Sequence, residues 1–220
     1  MSQLFLNMIR RGEIAEIAAA VEETPELARS RDAQGVSALL WSVYTRQPLI
    51  RDILRARAGE LDVHEAAALG ECARLHELIT ADALQARAVS ADGWPPLHLS
   101  AAFATPQAVE FLLEHGAHVH LISHNAMRNQ ALHASIAFGS SIESARLLLE
   151  AGANINATQA GGYTPLHQAA SAGNAAVVAL LLEYKADMAA CCDQGKTASD
   201  YARERGHEDL AAFLRSSPTS

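Results

Sequence analysis

One pattern recurs through this chain at an almost fixed spacing. Its fullest copy reads Gly162-Tyr163-Thr164-Pro165-Leu166-His167-Gln168-Ala169-Ala170, followed by Gly173. Aligned on the leucine slot, the anchors are Phe5, Leu39, Val63, Leu97, Leu132, Leu166 and Ser199, with steps of 34, 24, 34, 35, 34 and 33 residues. Seven residues after the anchor stands glycine at 12, 70, 139, 173 and 206, while Arg46 and Ala104 take that slot in the second and fourth copies. A repeat of this period restricts the chain to a stack of similar units, each burying its apolar side against its neighbours.

The chemistry of one unit gives its shape. Thr164 can cap a helix with its hydroxyl, and Pro165 fits the first turn, where no amide bond is lost. Leu166, Ala169 and Ala170 form an apolar side on which the alanines permit close helix approach, and Gly173 ends the short helix. Ala176, Val177, Leu180, Leu181 and Leu182 supply the apolar side of a second, antiparallel helix. Gly152-Ala153 closes the corresponding helix one unit earlier, glycine tolerating the left-handed conformation. Lys185 replaces that glycine in the next unit, at about 1 kcal/mol if the backbone is kept.

This unit is similar to that of the ankyrin family, which reads Gly-x-Thr-Pro-Leu-His-x-Ala-Ala, then Gly, Val-Val-x-Leu-Leu and Gly-Ala-Asn. The match extends over nearly the whole chain, is best at Leu97–Asn125, Leu132–Thr158 and Thr164–Asp187, and resembles arrays of the bacterial kind. The resemblance implies an all-α solenoid of about seven helix-turn-helix units with hairpin loops. These form one domain over 1–216, with units near 1–33, 34–58, 59–91, 92–126, 127–159, 160–192 and 193–216 and a tail at 217–220. Three departures stand out. The step from Leu39 to Val63 is short, so the second and third units are expected to join directly through Arg55–Glu60, without a loop. The fourth unit, Trp94-Pro95-Pro96-Leu97-His98, lacks the capping threonine, and the fifth, Asn129-Gln130-Ala131-Leu132-His133, follows one inserted residue. The last unit offers Arg203, Glu204, Arg205, Glu208 and Asp209 to water, as a terminal repeat must.

Composition narrows the function. Of 220 residues half are hydrophobic but only 5% aromatic, which suits thin, closely packed helices. The net charge is -8 and no basic run exists to meet phosphates, so nucleic acid is not an expected partner. Met1–Val21 reads as an amphipathic helix, not as a leader peptide, and no apolar stretch of about 18 residues exists to span a membrane. Cys72, Cys191 and Cys192 are a poor disulfide framework, which points to a reducing compartment. A soluble, cytoplasmic, monomeric protein without cofactors is expected.

Candidate chemistry was weighed against structural roles. His64, His98, His133 and His167 each follow the anchor; the resemblance implies that this histidine bridges neighbouring turns by hydrogen bonds. His115, His118, His120 and His124 crowd one loop, and His118 and His120 would share a side if it is extended. A metal or small-ligand site in loop 115–124 is therefore the alternative function, with only Glu114 as a nearby acid. Gly195-Lys196-Thr197 resembles the end of a phosphate loop, but Ala190 stands where its first glycine is required. Cys191-Cys192 is followed by Asp193, which does not favour a thiolate. No nucleophile, base and oxyanion donor gather, so an enzyme is not expected.

The resemblance also places a partner protein on the concave side, formed by hairpin tips and first helices. The corresponding positions hold Tyr44, Leu69, Trp94, Phe103, Met127, Phe138 and Tyr163, with Lys196 in the last unit. An aromatic stripe there would be an exposed apolar patch of the kind that marks binding sites. The competing reading packs Phe103 and Phe138 between helices, with Trp94 and Tyr163 shielding hairpins.

Overall fold

In the computed structural model, residues 2–138 and 141–216 are described. They form fourteen helices, α1 (Ser2–Arg11), α2 (Ile14–Glu23), α3 (Ala38–Tyr44), α4 (Pro48–Ala58), α5 (Val63–Leu69), α6 (Cys72–Ala81), α7 (Pro96–Phe103), α8 (Pro106–Glu114), α9 (Ala131–Phe138), α10 (Ile142–Glu150), α11 (Pro165–Ser171), α12 (Ala175–Glu183), α13 (Ala198–Glu204) and α14 (Glu208–Ser216). Consecutive helices pair within a unit, and the odd-numbered helices stack from one unit to the next. The isolated bridge between Arg31 and Ser37 is the only strand-like pairing among the described residues. The anchor-plus-seven glycine at 139 and the tail at 217–220 lie outside them.

The caps follow the sequence. Thr164 accepts the amide of His167 and His167 returns a bond to the Thr164 amide, a reciprocal pair that starts α11. Thr197 with Asp200 does the same for α13, and Ser37 accepts from the Leu40 amide at α3. The alanines bring successive first helices together: Ala66, Ala67, Ala101, Ala134, Ala169, Ala170 and Ala202 are buried, interleaved with Leu97, Leu132 and Leu166. In α12 the buried set is Val177, Val178, Leu180 and Leu181; Ala176 is exposed and Leu182 half-buried, so the apolar side is turned slightly from the expected one. Lys185 keeps the glycine conformation, with φ 67° against 85° at Gly152.

The N-terminal stretch is two helices, not one. Gly12, at φ 73°, turns α1 back on α2, and Phe5, Leu6 and Ile9 face Ile17 and Val21 in a shared core. Units one and three then use short 3-10 turns, Pro25–Arg29 and Ala83–Arg87, in place of Gly-Ala. Each ends in an arginine that satisfies carbonyls left open at the end of the next unit's second helix. Arg29 Nε donates to Ala58 O at 2.9 Å, and Arg87 Nε to Gly116 O at 3.0 Å.

The short step between units two and three has a direct cause. Helix α4 runs to Ala58, so the connection is Gly59–Asp62, shorter and later than the expected Arg55–Glu60. Gly59 takes φ 70° and ψ -132°, a conformation open only to glycine. Asp62 then caps α5 one position later in the repeat than Thr164 does, with Glu65 closing the reciprocal pair. Arg31, from the first hairpin, spans the missing loop to Asp62 at 2.9 Å, and Arg55 grips Glu71 through Nη2 and Oε2 at 2.9 Å.

Candidate functional site

The repeat histidines settle into structural roles. His98, His133 and His167 are buried third residues of their helices, and their Nε2 atoms meet carbonyls of the following hairpin: Asn129 at 3.0 Å, Tyr163 at 3.2 Å and Lys196 at 3.0 Å. A carbonyl only accepts, so Nε2 carries the proton and Nδ1 is free to accept. Nδ1 of His167 receives the Thr164 amide at 3.2 Å, and Nδ1 of His133 the Gln130 amide at 3.4 Å. Burial pushes His98 and His133 down to about 4, and lowers His167 as well. His64 departs from this set. Because Asp62 delays the start of α5, His64 is its second residue, and its buried Nε2 has no hydrogen-bond partner.

The shortened junction brings non-adjacent units into contact. The Tyr44 ring, at the end of α3, tilts against Phe103 of α7 at 5.4 Å, passing over unit three. Phe103 meets Phe138 of α9 at 5.0 Å, and Phe138 meets the edge of Trp94 at 5.9 Å. On the other side Trp41 stands edge-on to Tyr44 at 6.0 Å, donates to Asp32 Oδ2 at 2.9 Å, and carries the Arg10 guanidinium 4.0 Å from its centroid. Arg46 completes the crossing: its Nη2 donates to Phe138 O at 2.6 Å. The Tyr44 hydroxyl is buried beside Asp92, and burial with that carboxylate raises it above the usual phenol range.

Of the residues assigned to the stripe, Trp94 is buried at 8% exposure, and Tyr44, Leu69, Phe103 and Phe138 are half-buried. Together they line or adjoin a trough of about 410 Å³ whose walls include Arg46 and Arg51. Met127 and Tyr163 are also half-buried but lie further along the array. Met127 O accepts the Ala160 amide of the next hairpin at 2.9 Å. Tyr163 belongs to a second aromatic group, its hydroxyl accepting from Tyr201 at 3.0 Å with the rings 5.3 Å apart. Lys196 is held by Glu204 at 2.8 Å and lies 5.5 Å above the Tyr201 ring. The residues thus divide into two groups along the array. Sequence reasoning missed Trp41, Tyr201 and Arg46; Arg46 carried a signal, since it interrupts the column of glycines.

The histidine loop does not close around anything. His118, His120 and His124 are exposed, and His115 stacks on Phe111 at 4.0 Å on the second-helix side. Among the described residues no three His, Cys, Asp or Glu side chains gather closely enough to hold a metal ion. Cys191 is exposed while Cys192 is buried against the Tyr201 hydroxyl at 3.5 Å, which lowers the thiol pKa. Among the described residues no helix is long and apolar enough to cross a membrane.

Comparison with known proteins agrees with this architecture. Residues 63–159 match ankyrin repeats in three copies, and residues 148–202 match ankyrin repeats in many copies. The chain is an ankyrin-repeat protein. Relatives come from animals, a plant and a bacterium. The "Ankyrin repeat and LEM domain-containing protein 1 homolog" of Caenorhabditis elegans is 40% identical over 77 residues, 35% of this chain and 11% of that protein. The human "ARF GTPase-activating protein GIT1" is 40% identical over 87 residues, 39% of this chain and 11% of that protein. A protein of Neisseria meningitidis named for its ankyrin repeats is 47% identical over 53 residues, 24% of this chain and 21% of that protein. The array therefore spans only a small part of the relatives it matches. Ankyrin repeats generally mediate protein–protein interaction, and the family is typically non-enzymatic.

Proposed function

We propose that this ankyrin array is a non-enzymatic docking module, a monomer in a reducing compartment, that takes a partner protein on its concave side. The observation that carries the reading is the run Tyr44–Phe103–Phe138: half-buried aromatic rings from units two, four and five in contact one after the other, of which Phe103 and Phe138 line an open trough. Aromatic side chains deliver much contact area for little lost rotamer freedom, which is why interface hot spots favour them. Tyr44, Leu69, Trp94, Phe103 and Phe138 would form the centre of the contact. Met127, Tyr163 and Lys196 would extend it toward the C-terminal units. Neither nucleic acid nor a membrane fits an acidic chain of this composition.

The test is selection of binding peptides and small domains from a displayed library against the full chain. Binders are then challenged with the variant Met127→Arg/Phe138→Arg after its helical signal has been checked. Loss of binding in a folded variant is the expected result. Binders that ignore the variant, or a library that yields none, would sink the reading.

A further inference from the structure

We propose that the trough beside Arg46 seats a segment of the partner that carries a carboxylate next to a large apolar side chain. The inference rests on the docking reading above and supplies the chemistry of the ligand.

Arg46 occupies the slot that Gly12, Gly70, Gly173 and Gly206 fill at φ between 67° and 82°, and it adopts φ 55° itself. A non-glycine residue there costs about 1–2 kcal/mol, and residues held in such conformations cluster where the side chain has work to do. The strained backbone throws the guanidinium across unit three, where one N–H meets the neutral carbonyl of Phe138 at 2.6 Å. That carbonyl sits at the end of α9 and orients the fork without neutralising it. The neighbouring Arg51 is paired with Asp52 at 2.8 Å, whereas Arg46 makes no ion pair among the described residues, so the two arginines of the trough differ.

The trough that Arg46 lines is mixed, with Ser42 and Gln47 beside an apolar part. Phe103 and Phe138, 5.0 Å apart, make up that apolar part together with Leu69 and Val43. A volume of about 410 Å³ holds a few side chains, not a folded element. Charge complementarity selects the occupant: the planar fork of arginine matches a carboxylate bidentately, and the adjoining rings take up an apolar side chain. Because the whole chain carries a net charge of -8, long-range repulsion works against an acidic partner. Recognition must then come from the short-range pairing itself, at an exposed guanidinium beside half-buried rings.

The experiment uses the same displayed peptide library on the full chain, followed by affinity measurements of selected synthetic peptides. The expected consensus has Asp or Glu within two positions of Phe, Leu, Ile or Trp. Arg46→Gln is expected to weaken those peptides about ten-fold or more, Arg46→Lys to restore part of the affinity, and Asp→Asn in the peptide to match the effect of Arg46→Gln. If Arg46→Gln fails to fold, Arg46→Gly replaces it, because the glycines of four other units occupy the same backbone conformation. Binders without an acidic consensus, or binders indifferent to Arg46 yet lost in Met127→Arg/Phe138→Arg, overturn this proposal and leave the docking reading in place. A library that yields no binders overturns both.

Discussion

Pro95 caps α7 where a hydrogen-bond donor is wanted, and Nδ1 of His98, three residues on, is buried without a partner. In unit six the equivalent position is Thr164, whose amide and hydroxyl both reach Nδ1 of His167, at 3.2 and 2.8 Å. Pro95→Thr would recreate the Thr-Pro-Leu-His sequence in unit four. The new cap and the satisfied nitrogen should outweigh the extra freedom of the unfolded chain, for a net gain of about 1 kcal/mol. A urea midpoint that stays put or falls would count against this account of His98.

The same histidines make stability depend on pH. In the unfolded chain His98 and His133 titrate near the ordinary value of about 6.5, whereas burial holds them near 4 in the folded one. Below pH 6.5 the unfolded state therefore takes up protons that the folded state refuses. Stability should be flat with respect to these two groups above that point and fall toward pH 4 by about 1.4 kcal/mol per pH unit for each. His167 is shifted in the same direction. Denaturant titrations between pH 8 and 4 check the slope, and His133→Gln should make it shallower. An unchanged slope in that variant would rule His133 out as a contributor.

Lys185 offers a cleaner test of backbone conformation. It is exposed and sits at φ 67°, where the preceding unit has Gly152. Lys185→Gly should stabilise the array by about 0.5–1 kcal/mol, the relief of left-handed strain being partly offset by the freedom of glycine when unfolded. Calorimetric melting at fixed pH would show the rise. A drop in melting temperature would mean that the lysine side chain contributes packing beyond what its exposure suggests.

Phe103 and Phe138 each bridge units, so each should matter to stability as well as to binding. Being half-buried, each should cost about 2–3 kcal/mol on truncation to alanine, toward the low end for buried aromatics. Their contact at 5.0 Å should appear as a coupling of about 0.5–1.5 kcal/mol in a double-mutant cycle. Strictly additive losses would show that the two rings do not support one another.

Features coded locally were legible in the sequence. Thr164, Pro165, the anchor leucines and the glycines define each helix pair within a few residues, so the stack could be written down before any contact was known. His64 shares the repeat slot of the other three histidines, but Leu61 stands where Thr164 caps unit six and has no acceptor, so Asp62 caps one position later and His64 becomes the second residue of its helix. Gly12 stands in the column of repeat glycines, yet the apolar periodicity continues across it, so Met1–Val21 reads as one helix where the structure has two. The meeting of Tyr44 with Phe103 was beyond sequence reasoning of this kind, since it depends on where unit two points once a loop is missing. Tyr201 joined Tyr163 for a similar reason: its position is set by the last unit's packing and has no counterpart in the repeat.

Solenoids ordinarily behave as one-dimensional lattices, in which each unit is coupled only to its neighbours and melting can begin at either end. The bond from Arg46 to Phe138 and the ring contact from Tyr44 to Phe103 break that rule, because they couple unit two to units five and four. A segment of the lattice is thereby turned into a closed circuit. Unit two cannot fray without releasing two partners downstream, so units two to five should exchange their amide hydrogens as a single cooperative block. The C-terminal units, without such cross-links among the described residues, would then open first.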